Sequence, residues 1–282
     1  MTSTNAVSKH VATGDGVQLH YLEAGSGPTL VLVHGWSQSA EQFRHQIDGL
    51  SDRYHIVAFD QRGHGESEKP DHGYKIQRLA TDLHDVLVAL DLHDVTLLGH
   101  SMGCSVSWCY WDLFGSDRLA KLVLVDEPPL LTSNPTWTQE QADAAGAIFT
   151  PASVTDTCNA LAGPEGEAVT RGFIGGMLTS ACPDAVKEWI IQRNFRMARA
   201  HAATLLYNHC HQDWRDVIPR IAVPTLVVGG RVSLVPWTSM AWTAAQIPGA
   251  RLEIFEEAEG GQHFMFVENP EQFNRLLAAF IG

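Results

Sequence analysis

The chain has 282 residues, 45% of them hydrophobic, so it can bury a full core but is too short to require two independent domains. Its net charge of -13, with no basic run to offset it, argues against a nucleic acid or an anionic membrane surface as partner. The N-terminal segment is a polar lead-in without signal-peptide character, and no apolar window approaches the length of a bilayer span. We therefore expect a cytoplasmic protein that acts on a small molecule.

Two apolar runs in the N-terminal half predict buried strands that lead into loops. Residues 29–36 read TLVLVHGW, a β-branched run with the length of a parallel strand. Residues 54–67 read YHIVAFDQRGHGES and predict a second strand followed by a glycine-rich turn. Because such strands alternate with helical patterns along the chain, the sequence predicts an α/β fold with a mostly parallel, doubly wound sheet.

A serine lies between a third predicted strand and a predicted helix. Residues 95–103 read VTLLGHSMG and contain the pattern G-x-S-x-G around Ser101. A serine on a strand-to-helix turn of this kind has a strained backbone, and its hydroxyl projects from the sheet. Gly99 and Gly103 allow the strand and the helix to approach closely. This context favours a reactive serine over an ordinary turn that happens to contain one.

The middle of the chain predicts a helical insertion after the sixth strand. Strand-like runs stop after Asp126 and return only at 224–230 (PTLVVGG) and 251–255 (RLEIF). We therefore predict a core formed by residues 1–129 and 209–282 and a helical cap formed by 130–208.

The five cysteines predict no disulfide framework and no metal site. They are an odd number and lack the spacing of metal ligands, so we expect buried or half-buried thiols. No metal and no cofactor are predicted, and the sequence leaves the oligomeric state open. The cysteines are Cys104, Cys109, Cys158, Cys182 and Cys210.

Four motifs occur in a characteristic order, namely HGW, FDQRGHGES, GHSMG and GGQHF. Together they resemble the α/β-hydrolase superfamily from about His20 to the C-terminus, and within it the group of esterases, lactonases and non-haem haloperoxidase-like proteins. The resemblance implies an α/β-hydrolase fold with a helical cap after strand six. The superfamily contains many activities, so the substrate has to be inferred from the site.

The resemblance also implies roles for particular residues. Ser101 corresponds to the nucleophile, and the backbone amides of Trp36 and Met102 correspond to the oxyanion hole. His263, in the loop after the last predicted strand, corresponds to the general base that a serine hydroxyl requires. Fourteen histidines are present, and His263 is selected among them by its place in the chain order.

The third member of the triad departs from the commonest pattern of the superfamily. Most relatives carry an acid just after the seventh strand, but the turn at 229–236 reads GGRVSLVP and has Val232 at that position. A carboxylate follows the sixth strand instead, at Asp126, and some superfamily members take their acid from there. We therefore predict that Asp126 orients His263, with Glu127 as the weaker candidate. The alternative is that Asp126 merely terminates the strand.

Three functions are compatible with these residues. The favoured one is a serine hydrolase that cleaves a small carboxylic ester or lactone with the triad Ser101, His263 and Asp126. The second is a cofactor-independent dioxygenase that cleaves a 3-hydroxy-4-oxoquinoline with a His–Asp dyad, an arrangement that a small branch of this superfamily uses. The third is a non-catalytic ligand receptor on the same fold.

Several aromatic side chains are candidates for the substrate pocket. A flat heteroaromatic ligand would suit His100, Trp137, Trp189 and Trp237, together with Trp36 at the oxyanion loop. Ordinary core packing is the alternative for each tryptophan.

Overall fold

The protein is described here by a computed structural model covering residues 6–282, apart from the side chains of residues 143 and 144. Within that range, eight strands form one sheet. The strands are β1 (Val7–Ala12), β2 (Gln18–Ala24), β3 (Thr29–Val33), β4 (His55–Phe59), β5 (Val95–His100), β6 (Leu119–Val125), β7 (Thr225–Gly230) and β8 (Arg251–Phe255).

The sheet has the order β1-β2-β4-β3-β5-β6-β7-β8. The pairs β1–β2 and β2–β4 are antiparallel, and all the others are parallel. The central strands are buried on both faces, as expected of parallel strands covered by helices on each side. Along β3, Leu30 and Leu32 belong to one apolar core, and Val31 and Val33 belong to the other. The predicted mostly parallel, doubly wound sheet is confirmed.

Helices cover both faces of this sheet. The cluster that contains Val31 includes side chains from the helices at Ile76–Ala89 and Met102–Phe114, and the cluster that contains Leu30 includes side chains from those at Arg44–Leu50 and Pro270–Ile281. Short 3-10 helices also occur at Ala40–Phe43, Ile218–Arg220 and Glu257–Glu259. The α-helices are α1 (Arg44–Leu50), α2 (Ile76–Ala89), α3 (Met102–Phe114), α4 (Gln139–Ala145), α5 (Pro151–Ala162), α6 (Gly166–Gly175), α7 (Asp184–Asn194), α8 (Arg199–Cys210), α9 (Trp237–Gln246), α10 (Met265–Glu268) and α11 (Pro270–Ile281).

The helices α4 to α8 lie between β6 and β7, where the sequence predicts an insertion. Helix α8 packs against α5 within the insertion and also contacts α2 of the core. The division into a core and a cap domain stays a prediction, although the helical content of this segment is as expected.

The first strand was not foreseen, because the N-terminal segment was expected to be a polar lead-in. Residues Val7–Ala12 instead form an edge strand paired with β2. Five of its six residues are exposed, so the strand depends on backbone hydrogen bonds and shows little of the apolar alternation that marks a half-buried strand. No helix in residues 6–282 is long and apolar enough to cross a membrane.

Candidate active site

The carboxyl ends of the parallel strands bring the predicted site residues to one edge of the sheet. The loop after β3 contains Trp36, and the turn after β5 contains Ser101. Asp126 follows β6, while His263 lies between β8 and α10. Ligands bind at this edge in open α/β sheets, since the loops there converge.

The turn at Ser101 is strained in the way that the pentapeptide predicts. Ser101 has φ 54° and ψ −129°, a conformation rare for a residue with a side chain. Its neighbours must be small: a Cβ on Gly99 would lie 2.4 Å from the Gly103 carbonyl oxygen, and one on Gly103 would lie 2.3 Å from that of Val33. Gly35 packs so closely that a Cβ there would lie 2.9 Å from the Ser101 Cβ. The serine is thus fixed by close backbone packing on three sides.

His263 and Asp126 form a buried hydrogen-bonded pair. His263 Nδ1 lies 2.7 Å from Asp126 Oδ2, and the two residues are 3% and 0% exposed. A carboxylate only accepts, so Nδ1 carries the hydrogen and Nε2 is the nitrogen available for accepting a proton. Ser101 lines the same cavity as His263. Its hydroxyl makes no hydrogen bond to His263 among the described residues, and catalytic hydrogen bonds of this kind often form only in the complex with substrate.

The end of β7 and the loop after it supply hydrogen-bond donors to Asp126 and contain no acid of their own. Gly230 N–H donates to Oδ1 over 3.2 Å, and the Ser233 hydroxyl donates to Oδ2. Val232, at the usual acid position, is 39% exposed. Asp126 therefore accepts three hydrogen bonds in all, and its backbone is held at φ 56°. Sequence reasoning identified Asp126 but missed Gly230 and Ser233 as its partners.

Two backbone amides are available to an oxyanion. Met102 begins α3, so its N–H has no partner within the helix. Neither this amide nor that of Trp36 has an acceptor in the described part of the chain. The Trp36 indole donates to the Ala202 carbonyl oxygen over 2.8 Å, which ties the loop after β3 to α8. Both amides thus belong to rigid segments.

Ser101 and His263 line one cavity, which has about 470 Å³ of empty space including its open mouth. Most of its wall is apolar and comes from the insertion and from the loop after β7. The apolar lining includes Leu131, Phe149, Phe173, Met177, Leu206 and Val235. Among the described residues, no group of three or more His, Cys, Asp or Glu side chains could hold a metal ion.

The three tryptophans predicted for the pocket lie elsewhere. The rings of Trp137, Trp189 and Trp237 face the guanidinium groups of Arg215, Arg44 and Arg231, with 4.8, 4.0 and 4.3 Å from the guanidinium carbon to the ring centre. None of the three lines the cavity. Two of the three arginines are remote from their tryptophans in sequence, and cation–π contacts leave no local pattern, so these contacts could not be predicted from the sequence.

His100 does not line the cavity either, and it contacts the backbone of His263. It is fully buried, and its Nε2 donates to the His263 carbonyl oxygen over 2.9 Å. Burial first, and the nearby His263 second, hold the pKa of His100 well below its ordinary value. His100 is therefore neutral near pH 7 and fixes the backbone of the histidine loop.

Sequence reasoning missed a second carboxylate–histidine pair in the cavity wall. Glu127 Oε1 lies 2.7 Å from His209 Nε2, and both residues line the cavity. Glu127 thus pairs with His209 rather than with His263. The two are 82 positions apart, and no motif connects them.

Comparisons with known proteins cover almost the whole chain. Residues 28–150 match the family model described as alpha/beta hydrolase fold. The chain is 31% identical to the non-heme chloroperoxidase CPO-A1 of Kitasatospora aureofaciens, over 96% of this chain and 98% of that protein. It is 26% identical to the soluble epoxide hydrolase of Corynebacterium sp. (strain C12), over 94% of each. An esterase from Exiguobacterium antarcticum has a TM-score of 0.89 at 26% identity, over 98% of this chain and 99% of that one.

These similar proteins are named for different reactions, so their names do not determine the substrate of this one. What they share with it is the fold over nearly the full length. The chain belongs to the α/β-hydrolase family, and it is an enzyme of that class.

Proposed function

We propose that the protein hydrolyses a small carboxylic ester or lactone, with Ser101 as nucleophile. The observation that carries the proposal is the convergence on one cavity of a strained serine and a histidine already paired with a buried carboxylate. The backbone amides of Met102, which follows the serine, and of Trp36, which follows the closely packed Gly35, have no acceptor among the described residues. This combination provides a nucleophile, a base and an oxyanion hole, the three parts that acyl transfer needs.

The mechanism follows from the hydrogen-bond directions. Asp126 holds the hydrogen of His263 on Nδ1, so Nε2 accepts the Ser101 proton as Oγ attacks the acyl carbon. The amides of Trp36 and Met102 donate to the oxyanion, and His263 then protonates the leaving alcohol. Water, deprotonated by the same Nε2, attacks the acyl-enzyme and releases the acid and Ser101.

The cavity supports a small and mainly apolar substrate. It has about 470 Å³ of empty space including its open mouth, and most of its lining side chains are apolar. The apolar wall excludes water from the reacting group, which strengthens the hydrogen bonds that stabilise the oxyanion. A short-chain aryl ester or a small lactone fits these properties.

The experiment that tests this proposal is labelling with a fluorophosphonate, followed by intact mass measurement. Attack by the Ser101 oxygen on phosphorus expels fluoride and leaves one covalent adduct. We expect one adduct on the wild-type protein, none on Ser101→Ala, and one on the matched control Ser116→Ala, which alters an exposed serine. A folded wild-type protein that takes no label, or a Ser101→Ala protein that still does, contradicts the assignment.

A second candidate is cofactor-free cleavage of a 3-hydroxy-4-oxoquinoline ring by oxygen. The observation that favours it is that His263 and Asp126 are paired while Ser101 makes no hydrogen bond to His263. Such a dyad could deprotonate the ring hydroxyl without a nucleophile. An oxygen electrode separates the two candidates: oxygen uptake with a 3-hydroxy-4-quinolone, dependent on His263, together with no ester hydrolysis under nitrogen, would replace hydrolysis by ring cleavage.

A further inference from the structure

Glu127 and His209 form a polar spot in an otherwise mainly apolar wall of the cavity, and the proposed mechanism does not use them. Glu127 follows Asp126 directly, and His209 lies near the end of α8. The residues are 2% and 4% exposed, and both line the cavity with Ser101 and His263. A buried carboxylate and imidazole are unfavourable in such a place unless their polar atoms are satisfied.

The directions of these hydrogen bonds follow from two groups, because the Trp214 indole only donates and the Glu127 carboxylate only accepts. His209 Nε2–H donates to Glu127 Oε1 over 2.7 Å, so this nitrogen does not accept from Ser105 Oγ, which lies 3.1 Å from it. Trp214 Nε1–H donates to Ser105 Oγ over 3.1 Å, and the Ser105 hydroxyl donates to Glu127 Oε1, 3.3 Å away. Glu127 Oε1 therefore accepts two hydrogen bonds, one from Ser105 of α3 and one from His209 of α8, and these fix its position.

The other atoms of the pair lack partners. No described residue donates to Glu127 Oε2, and His209 Nδ1 is buried without a hydrogen-bond partner. A carboxylate oxygen accepts only, so the group that completes it must be a donor such as a hydroxyl. A substrate hydroxyl in turn needs an acceptor, because moving it from water into the apolar part of the cavity is unfavourable otherwise.

We propose that Glu127, held in place by His209, accepts a hydrogen bond from a hydroxyl on the acyl part of the substrate. The inference rests on the proposed ester or lactone hydrolysis and adds the substrate class, which is a short hydroxyacyl ester or hydroxylactone. Glu127 is then a specificity-determining residue that contacts substrate, and His209 is a positioning residue that acts through it.

The kinetic test compares methyl 3-hydroxybutyrate with methyl 3-oxobutyrate in a pH-stat. The two esters have nearly the same size, but only the hydroxyl donates a hydrogen bond. Glu127→Gln replaces the carboxylate by an amide. The variant therefore lacks the negative charge, and its NH₂ group can face the substrate as a hydrogen-bond donor. We expect the hydroxy-to-oxo ratio of kcat/KM to fall at least about tenfold, because the substrate hydroxyl loses a hydrogen bond to a charged group. Intrinsic ester reactivity cancels when this ratio is compared between proteins.

Three further variants make the kinetic result specific. Glu271→Gln makes the same replacement on the exposed surface of α11 and should leave the ratio unchanged. His209→Ala should lower the ratio, and His209→Gln, which keeps a side-chain N–H, should restore part of it. The proposal is overturned if folded Glu127→Gln keeps the wild-type ratio. It is also overturned if the ratio responds instead to Gln38→Leu, which removes a different unpartnered acceptor from the cavity wall, Gln38 Oε1.

A binding measurement keeps the inference testable without turnover, and also if Glu127→Gln does not fold. Ser101→Ala is mixed with butyramide or 3-hydroxybutyramide, and binding is followed by ligand-observed NMR. We expect tighter binding of the hydroxyamide. Equal binding of the two amides overturns the role of Glu127. A retained preference, combined with failure of the wild-type protein to hydrolyse any of the esters, contradicts the proposed hydrolysis but leaves the hydroxyl site standing.

Discussion

Replacing Asp126 by asparagine tests the most specific geometric feature of the site. Asp126 accepts from His263 Nδ1 and Ser233 at Oδ2 and from Gly230 N–H at Oδ1. An asparagine has one oxygen and one NH₂ group, so it cannot accept at both positions. The side-chain amide of the asparagine therefore has two possible orientations, and the more stable one is populated.

The two orientations differ in their consequences for His263. If the NH₂ group faces Gly230 N–H, two donors oppose each other and a buried amide is left unsatisfied, at a cost of roughly 1–3 kcal/mol. If it faces His263, Nδ1 becomes an acceptor, the ring hydrogen moves to Nε2, and the Ser233 hydroxyl can rotate to match. The second orientation is cheaper, because a neutral imidazole exists in either tautomer. In this orientation His263 Nε2 carries the hydrogen, so it cannot accept the proton of Ser101.

We therefore expect Asp126→Asn to lower kcat/KM for an activated aryl ester by roughly 10⁴-fold, a barrier increase of about 5 kcal/mol. The matched control is Asp94→Asn, an exposed aspartate that also has a positive φ, of 52°. Thermal unfolding checks that both variants fold. Folded Asp126→Asn with more than about a tenth of wild-type activity would refute the tautomer argument. A larger loss in Glu127→Gln than in Asp126→Asn would transfer the role of the acid to Glu127.

Four other variants test the site and the core. Ser101→Ala and His263→Ala should each remove most turnover of an aryl ester, on the order of 10⁴- to 10⁶-fold and non-additively, which single and double variants measure. Ser233→Ala should lower kcat about tenfold with little change in KM, since it removes one of three hydrogen bonds to Asp126; an unchanged kcat would contradict its positioning role. Burial raises the pKa of Asp60, but hydrogen bonds from His20 and backbone amides outweigh it and lower the pKa to about 2. Because the pKa is lowered in the folded protein, the ionised carboxylate stabilises the fold above the ordinary pKa of 3.8, and this stabilisation is lost as the pH falls toward 2. Asp60→Asn should therefore lower the free energy of unfolding by roughly 2 kcal/mol at pH 7. Urea titrations should show this difference shrinking between pH 3.8 and pH 2.

Features encoded by neighbouring residues could be predicted from the sequence. The turn at Ser101 depends on Gly99 and Gly103, which lie within two positions of it, and the strands that lead to the site are continuous apolar runs. The fold class was therefore predicted and is confirmed. The placement of Asp126 beside His263 was inferred by excluding Val232, and the structure brings the two together. Their catalytic roles stay predictions.

Features that depend on contacts between distant segments could not be predicted. Arg215, which covers Trp137, lies 78 positions after it (215 − 137). Arg44, which covers Trp189, lies 145 positions before it (189 − 44). The hydrogen bond from Trp214 to Ser105 spans 109 positions. Neither kind of contact changes the local periodicity of hydrophobic residues, so a single sequence carries no signal for it. Composition correctly indicated abundant aromatic residues but not which of them face the cavity.

The position of the acid connects the two halves of the site. Strands β6 and β7 pair in register, with Val125 opposite Val228, so Asp126 begins the loop beside the strand that usually carries the acid. Ser233 and Gly230 donate hydrogen bonds to the Asp126 carboxylate. An acidic side chain at their end of the site would instead repel that carboxylate. The same arrangement places the next residue, Glu127, in the cavity wall. In the proposed mechanism the carboxylate at the end of β6 orients the base, and its neighbour contacts the substrate. Variants of the two residues should therefore affect different quantities: turnover of every ester for Asp126, and the choice between esters for Glu127.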